Sequence, residues 1–388
     1  MSFASRTHHL KPEGAYQVLA RAQSQEARGR KIVHLEIGQP DFETFDNIKR
    51  AGIQAIRDGL TRYTPPIGMK SLREVIAEDA GRRRGLQIHP DQVVVSPGAK
   101  PNLFFPILAL VEPGDEVIYP NPGFPTYEAV IRVAGGIPVP VPLLEDNGFS
   151  FDLAVFNHLV NDRTRLIILN SPSNPTGGVI PRADLEQIAA AAQRHDCWVM
   201  SDEIYARIVY DNLSVPSIAA LPGMPARTII VDGFSKTYAM TGWRLGFGIM
   251  PKELADKVQL LLTHSVGCSA HFVQVAGIEA LTGPQEQVDL VVAEYQHRRD
   301  AIVAGLNAIP GVTCQYPQGA FYVFPNFKSF GLTSSELADL FLDRAGVAVL
   351  PGTSFGEYGE GYLRLVYSNS LENIALALDR IRQAVQSI

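Results

Sequence analysis

Short apolar runs alternate with helical patterns between about residues 92 and 250, and this alternation constrains the fold more than any other feature of the sequence. The runs that we predict to be strands are Gln92–Ser96, Glu116–Tyr119, Ile137–Val141, Arg165–Leu169, Cys197–Ser201, Thr228–Val231 and Leu245–Ile249. Helical patterns lie between many of them, for example at Asn102–Leu110 and Arg182–Arg194. Such alternation is typical of an α/β layer fold. The sequence therefore predicts a large domain in which a mostly parallel sheet is sandwiched by helices, since continuous apolar strands are covered on both faces.

The pattern changes after Pro284. The elements predicted there are a long helix at Gln285–Ile309, a strand at Phe321–Phe324, a helix at about Ser334–Arg344, short strands near Val347–Leu350 and Tyr362–Val366, and a helix from about Leu371 to the end. This order is typical of a smaller α+β domain. The segment before about residue 45 is too short to fold alone, and we expect it to pack on that C-terminal domain. The predicted domains are a large one, residues 46–284, and a small one that joins residues 1–45 to residues 285–388.

The charge and the motif content disfavour several classes of function. The formal net charge of −6 is spread along the 388 residues, so it gives no support for nucleic-acid binding. The one basic run, Arg82–Arg84, is interpreted as the solvated end of a helix, where cations are favoured. The sequence contains no Cys-x-x-Cys or His-Glu-x-x-His pattern, so we expect no metal site.

The cysteine content, the N-terminal segment and the length of the apolar runs favour a cytoplasmic protein. Cys197, Cys268 and Cys314 are an odd number of widely spaced cysteines, which is typical of a reducing compartment and not of a disulfide framework. The segment Met1–Leu10 lacks the apolar stretch of a secretion signal. No apolar run approaches the ~20 residues that cross a bilayer, so we expect no membrane partner.

Polar segments follow four of the predicted strands. They are Ser96–Lys100, Asn170–Gly178, Ser201–Glu203 with Tyr205 close behind, and Asp232–Lys236. In an open parallel sheet, ligands bind outside the carboxyl ends of the strands. We therefore expect these four segments to converge on one crevice.

Each segment also has an ordinary structural explanation. Gly98 could belong to a plain turn, Asn174 could stabilise a turn, and Asp202 could cap a helix. Lys236 could extend from the surface into water. One chemistry uses all four segments, because a lysine forms a Schiff base with an aldehyde cofactor while a carboxylate holds a pyridine nitrogen protonated. A helix N-terminus with hydroxyls and an arginine binds phosphate. The cofactor that this combination fits is pyridoxal 5′-phosphate.

The segment Gly233–Gly246, with its Ser-Lys pair, its Gly-Trp-Arg and its closing glycine, resembles the lysine attachment signature of class I/II aminotransferases. Those proteins are fold-type I pyridoxal-phosphate enzymes. Further matching segments come in the family's order: Gly38–Phe42, Tyr63–Gly68 with Leu72 and Arg73, Gly98–Lys100, Pro113–Glu116, Asn174–Gly177, Asp202–Tyr205 and Arg364. The resemblance extends from about residue 10 to the end of the chain.

The resemblance implies a set of residues around the cofactor. Lys236 attaches the cofactor covalently and later moves a proton, and Asp202 pairs with the ring nitrogen. Asn174 and Tyr205 form hydrogen bonds with the phenolate oxygen of the ring. The residues implied to complete the cofactor site are Phe124, stacked on the ring, and Gly98, Ala99, Lys100, Ser235 and Arg244, around the phosphate. From its spacing alone, Phe124 would be a core aromatic residue.

The resemblance also implies a substrate site and a partner. Arg364 is implied to bind the α-carboxylate of the substrate as a two-pronged donor, with help from Gly38 and Asn174. The alternative for Arg364 is an edge-strand arginine with its head in water. Tyr63, otherwise an ordinary turn aromatic, is implied to reach the phosphate of the neighbouring subunit. The family pattern thus implies a homodimer with shared sites.

The implied activity is the transfer of an α-amino group between an amino acid and a 2-oxo acid by a ping-pong mechanism. In the bacterial aspartate aminotransferase subgroup, a pair of small hydroxyl residues after an N-terminal Lys-Pro helps to bind an acidic side chain. Here Lys11-Pro12 is followed by Glu13-Gly14-Ala15. Because like charges repel, this departure disfavours an acidic substrate, although Lys100 remains a candidate partner for one. Neutral and aromatic amino acids are equally compatible with the sequence, with 2-oxoglutarate as the expected acceptor.

Two other functions share this fold. A pyridoxal-phosphate-dependent β-lyase, or a synthase of cyclic amino acids, would carry motifs that overlap with these. A non-catalytic effector-sensing domain is the second alternative, and in transcription regulators it follows a winged-helix module and a linker. The segment Met1–Asp41 is too short to contain a winged-helix module and a linker, so we favour the enzyme over the effector-sensing domain.

Overall fold

The computed structural model of the chain describes residues 3–8, 10 and 12–386. Its strands are β1 (Val33–His34), β2 (Val93–Ser96), β3 (Glu116–Asn121), β4 (Ile137–Pro142), β5 (Thr164–Asn170), β6 (Trp198–Asp202), β7 (Thr228–Gly233), β8 (Gly246–Ile249), β9 (Tyr322–Val323), β10 (Val347–Ala348), β11 (Leu350–Pro351) and β12 (Leu363–Val366). Its α-helices are α1 (Gly14–Glu26), α2 (Asp46–Arg57), α3 (Lys70–Arg84), α4 (Pro101–Leu110), α5 (Thr126–Ala134), α6 (Leu153–Leu159), α7 (Arg182–Arg194), α8 (Lys252–Thr263), α9 (His271–Thr282), α10 (Glu286–Asn307), α11 (Ser334–Leu340) and α12 (Leu371–Val385).

Within the described residues, seven strands form one sheet in the order β2-β8-β7-β6-β5-β3-β4. Strand β8 is antiparallel to β2 and β7, while the other neighbouring strands of this sheet are parallel. Strand β4 lies at the edge, which suits its prolines because proline cannot donate a ladder hydrogen bond. The prediction of a mostly parallel sheet is confirmed.

Consecutive side chains of the central strands pack into different layers, because side chains alternate across a sheet. Ile167 packs with Leu185 of α7 on one face. Ile168 packs with Ile107 of α4 and Leu254 of α8 on the other face. Both isoleucines are fully buried, which explains why the strand reads as a continuous apolar run. The prediction that helices cover both faces is confirmed.

Two smaller sheets bring the ends of the chain together. Strands β11, β12 and β9 form an antiparallel sheet with β12 in the middle. Strand β1 pairs in parallel with β10, so Val33 lies opposite Val347. Helices α10 and α12 pack in the core beneath these sheets, for example through Ile302 and Ile374. The N-terminal segment thus contacts the C-terminal part of the chain, while the domain boundaries near residues 45 and 284 stay a prediction.

Most predicted elements differ from the structure only by a few residues at their ends, whereas two differ in kind. The strand expected near Val347–Leu350 is divided between β10 and β11, which belong to different sheets. The helix expected at Ser334–Arg344 is α-helical to Leu340, and its last turn, Phe341–Ala345, is a π-helix. In both cases the apolar pattern gives the location of the element. It does not reveal which strand β10 or β11 pairs with, nor the hydrogen-bond pattern of the last helical turn.

The interpretation of Arg82–Arg84 as a solvated helix end is wrong for Arg84. Arg84 is the last residue of α3, but its side chain is only 5% exposed. Its Nε donates to Oε2 of Glu203 at 2.6 Å and its Nη2 donates to Oδ2 of Asp232 at 2.8 Å. Arg82, by contrast, has a side chain that is 73% exposed. The end of α3 faces the sheet on one side, and a run of identical residues does not reveal which of them points inward.

None of the helices in the described ranges combines the length and the hydropathy needed to cross a membrane. Those residues also bring no three His, Cys, Asp or Glu side chains into a metal-binding group.

Candidate active site

The carboxyl ends of β2, β5, β6 and β7 meet at one edge of the central sheet, because these strands run in the same direction. A cavity of about 530 Å³ lies at this edge. It is lined by most of the residues that the sequence singles out: Gly38, Ala99, Lys100, Phe124, Asn174, Asp202, Tyr205, Ser235, Lys236, Arg244 and Arg364. The four polar segments therefore converge on one crevice, as their positions after parallel strands require.

Lys236 lies in the turn after β7 and is partly buried. Its Nζ donates a hydrogen bond to the carbonyl oxygen of Gly38 at 2.6 Å. Burial, followed by repulsion from Arg364 and Arg244, lowers the pKa of Lys236 to about 8. An amine with this pKa is partly unprotonated near neutral pH, as a nucleophile or a base has to be. The alternative of a lysine that extends into water is wrong, since this amine faces the cavity.

Asp202 is the last residue of β6 and is 5% exposed. Its Oδ2 accepts a hydrogen bond from the hydroxyl of Tyr127 at 2.7 Å, and its Oδ1 accepts one from the backbone of Ile204 at 3.3 Å. Burial raises the pKa of Asp202 to about 6, and the nearby carboxylates of Asp232 and Glu203 act in the same direction. Turns rather than a helix follow this residue, so it is not a helix cap. A buried carboxyl of this kind is stabilised as an anion only by a cationic or donor partner.

A basic concave surface lies where β2 leads into α4. Gly98 has φ of +82°, and a Cβ at this position would lie 2.3 Å from Nη2 of Arg244. The backbone then passes through Ala99 and Lys100 into α4, whose N-terminal end faces the same region. The hydroxyl residue Ser235 is 9% exposed and lines the cavity. A guanidinium, a hydroxyl and the start of a helix together suit a phosphate group.

Arg364 enters the cavity from the opposite side. It lies on β12, the middle strand of its sheet, and is 4% exposed, so the alternative of an edge-strand arginine in water is wrong. Its Nη1 donates to Oδ1 of Asn174 at 3.3 Å, and its Nη2 donates to the backbone oxygen of Glu36. Its guanidinium carbon lies 4.8 Å from the ring centroid of Tyr322 and 5.0 Å from that of Phe355. The guanidinium is thus held in one orientation between two rings.

An ion pair closes one side of the cavity. Nζ of Lys100 bonds Oε1 of Glu13, the residue just before α1. The same Nζ lies 5.2 Å from the ring centroid of Phe124, which also lines the cavity. The side chains of Lys100 and Glu13 are 49% and 30% exposed, so water still reaches both charges. Lys11, which precedes Glu13 by two positions, lies outside the described residues.

Tyr63 does not line this cavity. It is 98% exposed on the surface of the single chain. Nearby, an apolar groove of about 780 Å³ is lined by Ile53, Ile56, Trp243 and Arg244, among others. Because Arg244 lines both the groove and the cavity, the two depressions share a wall.

Comparison with known proteins places the chain in a family. The sequence profile of the family described as "Aminotransferase class I and II" matches residues 30–381. The chain belongs to the class I and II aminotransferases. It is 40% identical to an aspartate aminotransferase of Pyrococcus abyssi over 93% of both sequences. It is 37% identical to aromatic-amino-acid aminotransferase 2 of Thermococcus litoralis over 100% of this chain and 99% of that protein. Its structure is similar to that of Thermus thermophilus aspartate aminotransferase with maleate, with a TM-score of 0.94 and 36% identity over 99% of this chain and 100% of the other.

Members of this family use pyridoxal 5′-phosphate, and this aminotransferase is an enzyme of the same fold type. The charges of its cavity fit such a ligand. Lys100, Lys236, Arg244 and Arg364 all line the cavity, and within the described part of the chain Lys100 alone of these four forms an ion pair with a carboxylate, that of Glu13. The excess of positive charge calls for anionic ligands. A phosphate beside Arg244 and a carboxylate beside Arg364 would supply them.

Two tyrosines of the aminotransferase site have no predicted role in the sequence. Tyr127, in the first turn of α5, donates to Asp202, although its place in an apolar segment is typical of a core residue. Tyr322 lines the cavity, and its hydroxyl lies 2.6 Å from that of Tyr205. The one signal available for both is a hydroxyl on a side chain within a buried apolar segment, which needs a hydrogen-bond partner.

Proposed function

We propose that this aminotransferase moves the α-amino group of an amino acid to a 2-oxo acid in two half-reactions at Lys236. The observation that supports this most is the position of a lysine with a depressed pKa in one cavity with Asp202 and with two separate guanidinium groups, Arg244 and Arg364. The cavity therefore offers one reactive amine, one buried acid and two anion sites.

The cofactor is assigned to the side of the cavity nearest the central sheet. Bound pyridoxal 5′-phosphate supplies an aldehyde that condenses with amines and a ring that takes up the electrons of the broken Cα–H bond. The Asp202 carboxylate would accept a hydrogen bond from the protonated ring nitrogen, and this positive partner would lower the pKa that burial raises in the empty site. Asn174 and Tyr205 would bind the phenolate oxygen, and Phe124 would cover one face of the ring.

The phosphate is assigned to the basic surface at the start of α4. Arg244 and Ser235 bind it with their side chains, and Ala99 and Lys100 with their backbone N–H groups. Gly98 leaves the space that Arg244 occupies, since a Cβ there would collide with the guanidinium.

The substrate is assigned to the side of the cavity nearest β12. Arg364 binds the α-carboxylate as a two-pronged donor, while Gly38 and Asn174 flank it. The amine of Lys236 would take the proton from Cα of the substrate and hold it for return. Because Lys236 titrates near pH 8, it can hold and release a proton under ordinary conditions.

Replacement of the lysine tests this assignment. Lys236→Ala removes the only amine that the assignment uses for covalent attachment, so the absorbance band of the attached cofactor disappears and turnover falls at least about a thousandfold. Lys257→Ala, at an exposed position of α8, is the matched control and leaves both unchanged. Turnover within tenfold of the parent enzyme in Lys236→Ala would refute the assignment.

We further propose that the preferred amino donor has an uncharged side chain. Lys100, an exposed cation that lines the cavity, is already paired with Glu13, so an acidic side chain at this position would meet a carboxylate rather than a free cation. The names of the relatives include both aspartate and aromatic-amino-acid aminotransferases, and they do not decide between these donors.

Removal of the Glu13 charge tests the donor preference. In Glu13→Gln, Lys100 becomes free to bind a second carboxylate, and kcat/KM for aspartate relative to phenylalanine rises about tenfold. Glu286→Gln, at an exposed position in the first turn of α10, is the control and keeps the parent ratio. If the parent enzyme already prefers aspartate, or if the ratio does not change in Glu13→Gln, the ion pair does not set the preference.

We also propose that the enzyme is a homodimer with shared sites. The groove beside Arg244 exposes Ile53 and Ile56, which are each 49% exposed, and an apolar surface of this kind is covered in assembled proteins. Tyr63 of a second copy seated on this groove would come close to the phosphate site through the shared wall at Arg244. The proposed domains are residues 46–284 and residues 1–45 with 285–388. The unpaired thiols of Cys197, Cys268 and Cys314 support a cytoplasmic location.

A further inference from the structure

We propose that Tyr322 is a positioning residue, whose hydroxyl orients the proton of Tyr205 and thereby sets the proton affinity of the cofactor bound to Lys236. This inference rests on the proposed function, in which Tyr205 binds the phenolate oxygen of the cofactor. It assigns to Tyr322 a role that neither its sequence pattern nor its place in the core indicates.

Tyr322 contacts both halves of the proposed site. It lies on β9, is 1% exposed, and lines the cavity. Its hydroxyl lies 2.6 Å from that of Tyr205. Its ring faces the guanidinium of Arg364, and a Cβ on Gly38 would lie 2.4 Å from its hydroxyl oxygen. One side chain thus joins Tyr205, assigned to the ring, with Arg364 and Gly38, which are assigned to the substrate carboxylate.

The direction of the hydrogen bond follows from counting protons. The hydroxyl of Tyr205 has one proton, and the phenolate oxygen of the cofactor has none. When Tyr205 donates to the phenolate, its own oxygen can only accept, and the hydroxyl of Tyr322 is the donor within reach. The two hydrogen bonds, from Tyr322 to Tyr205 and from Tyr205 to the phenolate, then lie in series. Each polarises the next, so Tyr205 becomes a stronger donor than it would be without Tyr322.

A stronger donor to the phenolate lowers the proton affinity of the lysine-linked cofactor. The bound cofactor loses a proton as pH rises, and the deprotonated form carries more negative charge on its phenolate oxygen. The chain from Tyr322 stabilises that form. Without the hydroxyl of Tyr322, the deprotonated form is less stable, so the pH midpoint of the cofactor's absorbance change moves upward.

The ring and the hydroxyl of Tyr322 act on different partners, and this allows them to be separated. The ring packs against Arg364, which binds the substrate carboxylate, whereas the hydroxyl meets Tyr205. Tyr322→Phe keeps the ring and removes the hydroxyl. Tyr322→Leu removes both, and we expect it to raise KM for the amino donor severalfold in addition.

The test is a pH titration of the absorbance of the holoenzyme, together with the Kd of the apoprotein for pyridoxal 5′-phosphate. In Tyr322→Phe the midpoint rises by about 0.5 to 1 pH unit and the Kd rises about three- to tenfold, the equivalent of one ordinary hydrogen bond. The matched control is Tyr367→Phe. Tyr367 pairs with the hydroxyl of Tyr210 at 3.1 Å in the same core but does not line the cavity, so its replacement leaves both values unchanged.

Three outcomes would overturn the inference. The first is a midpoint in Tyr322→Phe equal to that of the parent enzyme. The second is a full additional shift when Tyr322→Phe is added to Tyr205→Phe, because Tyr322 would then not act through Tyr205. The third is a pH midpoint in Tyr322→Leu equal to that of the parent enzyme. This variant replaces Tyr322→Phe in the test if the Phe variant does not fold. Should the parent protein itself not attach the cofactor at Lys236, the proposed function fails first and the inference fails with it.

Discussion

Burial works against the charged forms of both reactive side chains in this aminotransferase. It raises the pKa of Asp202 to about 6 and lowers that of Lys236 to about 8. Neither value can be inferred from the sequence, because both depend on side chains that are distant along the chain, such as Tyr127 for the acid and Arg364 for the amine. The raised pKa of the acid has a consequence for the stability of the apoprotein.

The apoprotein of Asp202→Asn is expected to be more stable than the parent apoprotein above about pH 6. The folded parent keeps its Asp202 proton up to about pH 6, whereas the unfolded chain loses it near pH 3.8. Folding therefore retains a proton between these values, and the parent loses stability as pH rises through that window. The expected difference in the free energy of unfolding at pH 8 is roughly 3 kcal/mol, at about 1.4 kcal/mol per pKa unit, and urea unfolding curves of both proteins measure it. Asp379→Asn, at an exposed position of α12, is the control and should change the free energy of unfolding by less than about 0.5 kcal/mol.

The opposite result would be equally clear. In that result, Asp202→Asn is less stable than the parent at every pH. The hydrogen bonds from Tyr127 and Ile204 would then stabilise the carboxylate in the apoprotein, and burial of its charge would not reduce the free energy of unfolding. The variant should in either case bind pyridoxal 5′-phosphate more weakly, because its neutral amide cannot form an ion pair with a protonated ring nitrogen.

At the scale of elements, the sequence predicts well where a strand or helix lies along the chain. It predicts poorly which other elements that strand or helix contacts. The predicted strand Cys197–Ser201 and the observed β6 differ by one residue at each end, because an apolar run bounded by polar turn residues marks a buried strand. The division of Val347–Leu350 between two sheets was not predictable, since the pairing partners lie far away along the chain. The burial of Arg84 has the same origin. Of its two carboxylate partners, Glu203 follows β6 and Asp232 lies near the end of β7, and no local pattern connects them to α3.

Arg84→Met is expected to destabilise the fold by about 3 to 5 kcal/mol. The substitution keeps most of the volume but removes the cation from the buried Glu203 and leaves Asp232 with Arg83 alone, at 3.6 Å, among the ion pairs of the described residues. Arg82→Met, two residues earlier on the same helix, removes an ion pair to Asp79 from a side chain that is mostly exposed. It should change the free energy of unfolding by less than about 1 kcal/mol. Urea unfolding of both variants makes the comparison, and equal losses would mean that the buried network contributes nothing special.

At the scale of the whole molecule, the site draws on parts of the chain that only the fold brings together. Gly38 precedes the large sheet, Asp202 lies within it and Arg364 lies on a different sheet, yet all three line one cavity. The sequence places these residues in a site only through resemblance to a family, because spacing of this size has no local signature. Tyr63 goes one step further. It is 98% exposed on one chain, so its proposed role requires a second copy.

Mixing two inactive variants tests whether the sites are shared. Tyr63→Ala removes a proposed donor to the phosphate of the partner's site, and at low cofactor concentration its activity is expected to fall about ten- to a hundredfold. Lys236→Ala inactivates only its own site. After the two are unfolded and refolded together, about half of the dimers are hybrids, and each hybrid contains one site with both Lys236 and a partner's Tyr63 intact. Activity should then recover to about a quarter of the parent value, since one of every four sites is complete. Without sharing, the mixture has only the summed activity of the two variants, because a chain that lacks Tyr63 then lacks it in its own site whatever it is paired with.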